Sequence, residues 1–152
     1  MQHRISAGAI VENAAGQLLL VRHVLPGKYD FWVAPGGGVQ GREELAAAAT
    51  REVREETGLH VAIGSLAYIE EFANPDTRHV KFWFTARLVG GSLSADAPEA
   101  KAEHIIEAAW LSRSDLGART VFPLVLSDRY WDDRTRGFTT PAYLGLRTME
   151  FW

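Results

Sequence analysis

Between Gly37 and Leu59 the chain reads GGVQGREELAAAATREVREETGL. From Glu43 to Thr57 it is rich in Ala, Glu and Arg and holds neither glycine nor proline, which predicts a helix. Gly58 stands where such a helix would stop. At about 100° per residue, Glu52, Glu55 and Glu56 fall at roughly 340°, 280° and 20° when Leu45 is taken as the origin. Their carboxylates thus share an arc of roughly 100° on one helix face. Ala49, Val53 and Ala46 follow beside it as a narrow apolar stripe, so one edge packs while the adjoining edge presents acid.

Three carboxylates this close repel one another unless something positive sits between them. A hard divalent cation, Mg²⁺ or Mn²⁺, answers that need, because it prefers carboxylate oxygen and keeps water and substrate phosphates as further ligands. Arg51 lies next to Glu52 and one turn before Glu55, where it can orient either carboxylate. Ahead of the helix, Gly36, Gly37 and Gly38 let backbone approach a ligand closely, and the helix N-terminus favours anions. A glutamate-rich helix face is ordinarily just a solvated face. The spacing of the whole segment is what decides otherwise.

Gly37, five residues, Glu43, seven residues, then Arg51-Glu52-Val53-Arg54-Glu55-Glu56-Thr57-Gly58-Leu59 resembles the Nudix box at every defined position. A chance match of seven specified and two aliphatic residues is on the order of 10⁻⁸ in such a chain. The resemblance implies a mixed β-sheet sandwiched between α-helices, of α/β (α+β) class. It also implies hydrolysis of the pyrophosphate linkage in a nucleoside diphosphate joined to another moiety. Carried over, Glu52, Glu55 and Glu56 would be metal ligands, Arg51 would orient a carboxylate, and Glu43 would steady the loop–helix geometry. Glu52 or Glu55 would serve as general base. A further acid from a loop before a later strand is common in the family. Glu103 is preferred here over Glu107, which falls inside a strand pattern; Glu70 and Glu71 are weaker.

The flanking sequence agrees with a mixed sheet. Ile5 to Val11 and Gln17 to Val21 read as strands around an Asn13–Gly16 turn, and Phe31 to Val33 as a short one. Val61 to Phe72, His79 to Val89 and Ile105 to Leu111 read as further strands. In the second of these, Val80, Phe82, Phe84 and Ala86 share one face, and His79, Lys81, Trp83 and Thr85 the other. Ser92 to Ala102 reads as a loop, Ser112-Arg113-Ser114-Asp115 as a capping box opening a short helix, and Val121 to Trp131 as a last helix. The tail YLGLRTMEFW is open between closing over the site, pairing with another subunit to make a homodimer, and docking on its own domain.

Substrate contacts are expected from Arg22 and Lys28, from Gly37 and Gly38, and from His79 and Trp83, the tryptophan by stacking on a base. Trp32 is a second candidate for stacking, and for both tryptophans packing in the core is the better reading.

The 152 residues suit one domain spanning 1–152. A hydrophobic fraction of 47% and a charged fraction of 23% exclude a disordered chain. Sixteen basic against nineteen acidic residues, a net charge of −3, argue against a nucleic-acid partner. There is no cysteine for a disulfide, a thiol nucleophile or a cysteine zinc site. No apolar run has the length of a membrane span or a signal peptide, so a cytoplasmic protein is the expectation. The expected activity is that of a Nudix pyrophosphohydrolase on a small nucleotide: an ADP-ribose-like compound, a nucleotide sugar, a dinucleoside polyphosphate or a modified nucleoside triphosphate. The alternative is a catalytically silent Nudix-like domain that senses a nucleotide.

Overall fold

A computed structural model of the chain describes residues 1–149. The strands are β1 (Gln2–Glu12), β2 (Leu18–Leu25), β3 (Tyr29–Val33), β4 (Gly36–Gly38), β5 (Leu59–Ala73), β6 (Thr77–Gly91), β7 (Ile105–Leu111), β8 (Val121–Phe122) and β9 (Ala142–Thr148). The helices are α1 (Leu45–Thr57), α2 (Pro98–Ala102), α3 (Arg113–Leu116) and α4 (Tyr130–Arg136). All nine strands join one mixed sheet in the order β8-β3-β2-β1-β6-β5-β9, with β4 added to β1 and β7 to β2. β1 runs parallel to β6 along its whole length, from Gln2 opposite Thr77 to Glu12 opposite Arg87. On its other side β1 meets β4 over Ser6 to Gly8 and touches β2 only at Glu12, so the sheet splits and curls open there.

The two faces of β1 carry different cores, as alternation requires. Ala9 and Val11 pack with Val53, Leu19, Leu59 and Val61, while Ala7 packs with Ala48 and Ala49 under α1. The small alanines bring the helix backbone close to the sheet. On the opposite face Ile10 joins the larger core, with Tyr68, Trp83, Leu126, Tyr130 and Trp131. α1 and the C-terminal helical segments therefore cover opposite faces, giving the mixed sheet between helices that the sequence predicts.

Two segments differ from expectation, and the tail takes one of the three courses left open for it. Val121 to Trp131 is not one helix: Val121 and Phe122 pair with Trp32 and Val33 of β3, a 3₁₀ turn covers Leu124–Ser127, and α4 begins only at Tyr130. Pro123 disfavours helical backbone at the residue before it, and β3 offers that segment a strand partner. The 92–102 loop contains α2, which opens with Pro98 in its first turn. The tail docks on its own domain as β9, parallel to β5, with Phe72 opposite Arg147; Phe151 and Trp152 lie outside the described residues. Among the described residues no helix is long and apolar enough to cross a membrane.

Candidate active site

α1 follows from its alanines, and its two ends are fixed by different means. No side chain caps its N-terminal residue, Glu44. The preceding loop is held instead by Glu43, whose carboxylate accepts from the Gln40 N–H at 3.0 Å and from Arg51 Nη2 at 2.7 Å. At the other end Gly58 adopts φ 73° and donates its N–H to the Arg54 carbonyl at 2.9 Å, a left-handed cap that suits glycine.

Arg51 is the hub of the helix face. It donates to Glu43, to Glu52 at 2.9 Å, to Glu55 at 3.0 Å and to the Gly38 carbonyl at 3.0 Å. The hydrogen bonds to Glu43 and the neighbouring carboxylates raise its pKa further above an already basic value. One guanidinium thus ties the glycine loop to the acidic face of α1 with charge-assisted bonds.

Glu52 and Glu56, one turn apart, are buried, at 5% and 1% exposure. Glu103 follows α2, and although exposed as a residue it reaches the same point: one oxygen from each of Glu52, Glu56 and Glu103 lies within 4.8 Å of the others. Glu56 Oε2 accepts from the Gly36 N–H at 3.3 Å, whereas its buried Oε1 has no hydrogen-bond partner. Burial, then the charges of Glu103 and Glu52, push the Glu56 carboxyl well above the usual carboxylate range. Burial and Glu52 push Glu103 the same way. An oxygen orphaned among three carboxylates, two of them destabilised as anions, is what a divalent oxygen-ligated cation would satisfy, and the donor set fits one.

Gly37 is required for this approach. A Cβ there would lie 2.6 Å from the Glu52 carboxylate, closer than any side chain tolerates.

Glu103, with Gly36 to Gly38 beside it, lines a cavity of about 340 Å³. β1 gives it Arg4 and Ser6; β2 and β3 give His23, Tyr29 and Phe31; β5 and β6 give Phe72, His79 and Lys81. His23 stacks on Phe31 at 5.1 Å, and Phe72 on His79 at 4.7 Å. Burial holds His23 near the neutral form, with its pKa lowered to about 4. Burial and the nearby Arg4 and Lys81 charges lower His79 as well.

Of the residues expected at the site, Arg51, Glu52, Glu56, Glu103, Gly37, Gly38 and His79 come together. Glu55 joins through Arg51 but stands outside the three-oxygen cluster. The remaining contacts need correction. Trp83 is 1% exposed in the core, with its indole N–H donated to Glu70 at 3.0 Å, so no ring face is open for a base. Arg22 is held by both oxygens of Asp30 at 2.9 and 2.7 Å, with Glu107 at 3.8 Å. Alternation along β2 turns His23, and not Arg22, to the cavity. Lys28 is exposed at the β2–β3 turn, away from the lining. Lys81, which shares the His79 face of its strand, and His23, just before the box, line the cavity as well; Arg4, Tyr29 and Phe31 are the lining residues that the spacing argument missed.

The NUDIX domain profile matches residues 2–134. Two curated relatives are named 8-oxo-dGDP phosphatase NUDT18. The one from Danio rerio is 33% identical over 121 residues, covering 80% of this chain and 36% of that protein. The one from Homo sapiens is 34% identical over 108 residues, covering 71% and 32%. The chain therefore spans about a third of the length of these relatives. Among solved structures, a NUDIX hydrolase from Nitrosomonas europaea superposes with a TM-score of 0.78 at 20% identity, covering 98% of this chain and 81% of that one. A MutT protein from Methanosarcina mazei Go1 gives 0.70 at 26% identity, covering 89% and 96%. By its fold, its complete box and the extent of this match, the chain belongs to the Nudix family.

Proposed function

We propose that the protein is a metal-dependent Nudix pyrophosphohydrolase acting on a nucleoside diphosphate or triphosphate with an oxidised purine base. The observation that carries the reaction class is the convergence of Glu52, Glu56 and Glu103 within 4.8 Å, the last of them also lining the cavity. These three residues would hold Mg²⁺ or Mn²⁺, which when bound neutralises phosphate charge and makes water a better nucleophile at neutral pH. Arg51 fixes Glu52 and Glu55, the pair from which the proton acceptor for the attacking water is drawn. Gly38, with open space at its missing Cβ, leaves room for phosphate oxygens beside the helix, while Gly37 makes room for the Glu52 carboxylate. Tyr29 and the stacked Phe72–His79 pair line the cavity with ring surface for a purine, and Arg4 and His79 supply donors suited to a base edge rich in oxygen acceptors. The base assignment draws on that donor chemistry and on the relatives named for 8-oxo-dGDP.

The test is kcat/KM for 8-oxo-dGDP, 8-oxo-dGTP, dGDP, ADP-ribose, a nucleotide sugar and a dinucleoside polyphosphate with Mg²⁺. A preference of at least about tenfold for an 8-oxopurine nucleotide, reduced in Arg4→Ala, is expected from one or two lost hydrogen bonds. Faster turnover of ADP-ribose or a nucleotide sugar would sink the base assignment and leave the reaction class standing. In the same assay Glu52→Gln and Glu55→Gln separate the base: the variant that loses turnover while keeping metal affinity identifies it.

A further inference from the structure

Arg147, on the terminal strand β9, has a side chain that is 26% exposed, and its buried Nε makes no hydrogen bond. The ion pair it forms is long, 3.8 Å from Nε to Glu70 Oε2. Its closer engagement is with two buried aromatic rings. The guanidinium Cζ lies 4.8 Å from the centroid of Phe72 and 4.7 Å from that of Phe122. A guanidinium is planar and weakly hydrated, so it packs on ring faces where water is scarce.

The two rings come from distant parts of the sheet. Phe72 belongs to β5 and stands opposite Arg147 in the parallel β5–β9 register. Phe122 belongs to β8, and β8 and β9 are the two ends of the strand order. The sheet therefore curls until its ends meet, and Arg147 joins them. Each ring also backs a different wall of the cavity. Phe72 stacks on His79 at 4.7 Å. Phe122 meets Phe31 edge-on at 5.5 Å, and Phe31 stacks on His23 at 5.1 Å. His79 and His23 line the cavity, whereas Arg147 does not.

We propose that Arg147 is a positioning residue: laid across Phe72 and Phe122, it sets the gap between the His79 wall and the His23 wall, and so how tightly a purine ring is held. The statement about the purine rests on the reading of this cavity as the base site; the bracing of the two walls does not. Close-packed rings transmit a displacement at Arg147 to both walls. A cavity that must reorganise to close on a base binds it less well, while the carboxylates of α1 are left as they were. The loss thus belongs in KM and not in kcat.

The experiment compares wild type, Arg147→Met and Arg147→Lys by two readouts. One is the NMR ring resonances of the histidines in EDTA; the other is KM and kcat for 8-oxo-dGDP in Mg²⁺. In Arg147→Met the resonances of both His79 and His23 are expected to move, with those of the exposed His3 and His60 unchanged. KM is expected to rise at least about fivefold, with kcat within about twofold of wild type. Arg147→Lys keeps the charge beside Glu70 but not the plane across the rings, so it should resemble Arg147→Met. A His23 resonance left at its wild-type position, an unchanged KM, or full rescue by lysine would each overturn the proposal, the last leaving Arg147 as a charge partner of Glu70. Where Arg147→Met fails to fold, Arg147→Lys decides by the same readouts. Should wild type not turn over 8-oxo-dGDP, the base assignment falls, and the resonances alone decide: movement at both histidines supports the brace, and movement at His79 alone refutes it.

Discussion

Gly37 and Glu52 are fifteen positions apart in sequence and in contact in space, and that contact limits both. The glycine's missing Cβ is the room that the Glu52 carboxylate occupies, 2.6 Å from where the carbon would be. Gly37→Ala is expected to push Glu52 out of the cluster and cut turnover at least about 100-fold, the scale of disturbing a metal site's supporting contacts. Its melting temperature in EDTA should move far less than its activity, and circular dichroism with a steady-state assay checks both. Loss of fold in step with activity would contradict this account.

Helical angle brings Glu52 and Glu56 to one face, and the spacing of the whole box is what told that face from a solvated one. Glu103 was reachable too, through its loop setting before a strand. For Lys81 and Trp83 the shared strand face was legible, but not whether a ligand or the core covers it. Along β6 the residues that are buried are His79, Lys81 and Trp83, the face with the polar residues, because that face lines the cavity and then enters the larger core. Alternation tells which residues share a face but not which face is covered, and a strand bordering a ligand cavity breaks the usual link between polarity and exposure.

At the level of elements, α1 depends on how it ends. Gly58 holds φ 73°, and a Cβ there would meet the Ser92 carbonyl oxygen at 2.3 Å, where the chain returns after β6. Ser94 also donates its N–H to the Thr57 carbonyl at 2.8 Å, so the helix end and the 92–94 segment are built against each other. Gly58→Ala incurs both the left-handed backbone penalty and the clash. It should destabilise the protein by at least about 1–2 kcal/mol, a fall of roughly 3 °C or more in melting temperature. An unchanged melting temperature would mean that the helix ends differently.

This stop signal could be read from sequence because glycine is the residue that left-handed caps select. The break at Val121 and the strand β9 could not, since both depend on partners distant in sequence: β3 for Val121 and β5 for Ala142–Thr148. Short strands at sheet edges carry little periodicity of their own, and the register that recruits them is a tertiary property.

For the molecule as a whole, the cavity's histidines link stability to pH. His79 is packed on Phe72 from β5, faced by Arg4 from β1 and by Lys81 on its own strand, and all of this lowers its pKa in the folded state. A group whose folded pKa lies below its unfolded value binds its proton more readily when unfolded, so unfolding free energy falls as pH falls. The contribution of neutral His79 is complete above about pH 6.5, the value for an unfolded histidine, and is lost progressively below it. Urea melts between about pH 8 and pH 5 should show that decline, and His79→Gln should reduce its slope in part, the neutral His23 supplying the rest. A variant with the wild-type slope would remove His79 as a cause.

All of these effects meet at the carboxylate cluster, so the decisive experiment is hydrolysis itself. Purified protein is incubated with nucleoside diphosphate derivatives and triphosphates in Mg²⁺ and again in EDTA, with Glu56→Gln alongside, and nucleoside monophosphate and phosphate release are followed. The account predicts release that requires the metal and falls at least about 100-fold in Glu56→Gln. Release that persists in EDTA, or a Glu56→Gln protein as active as wild type, would contradict it.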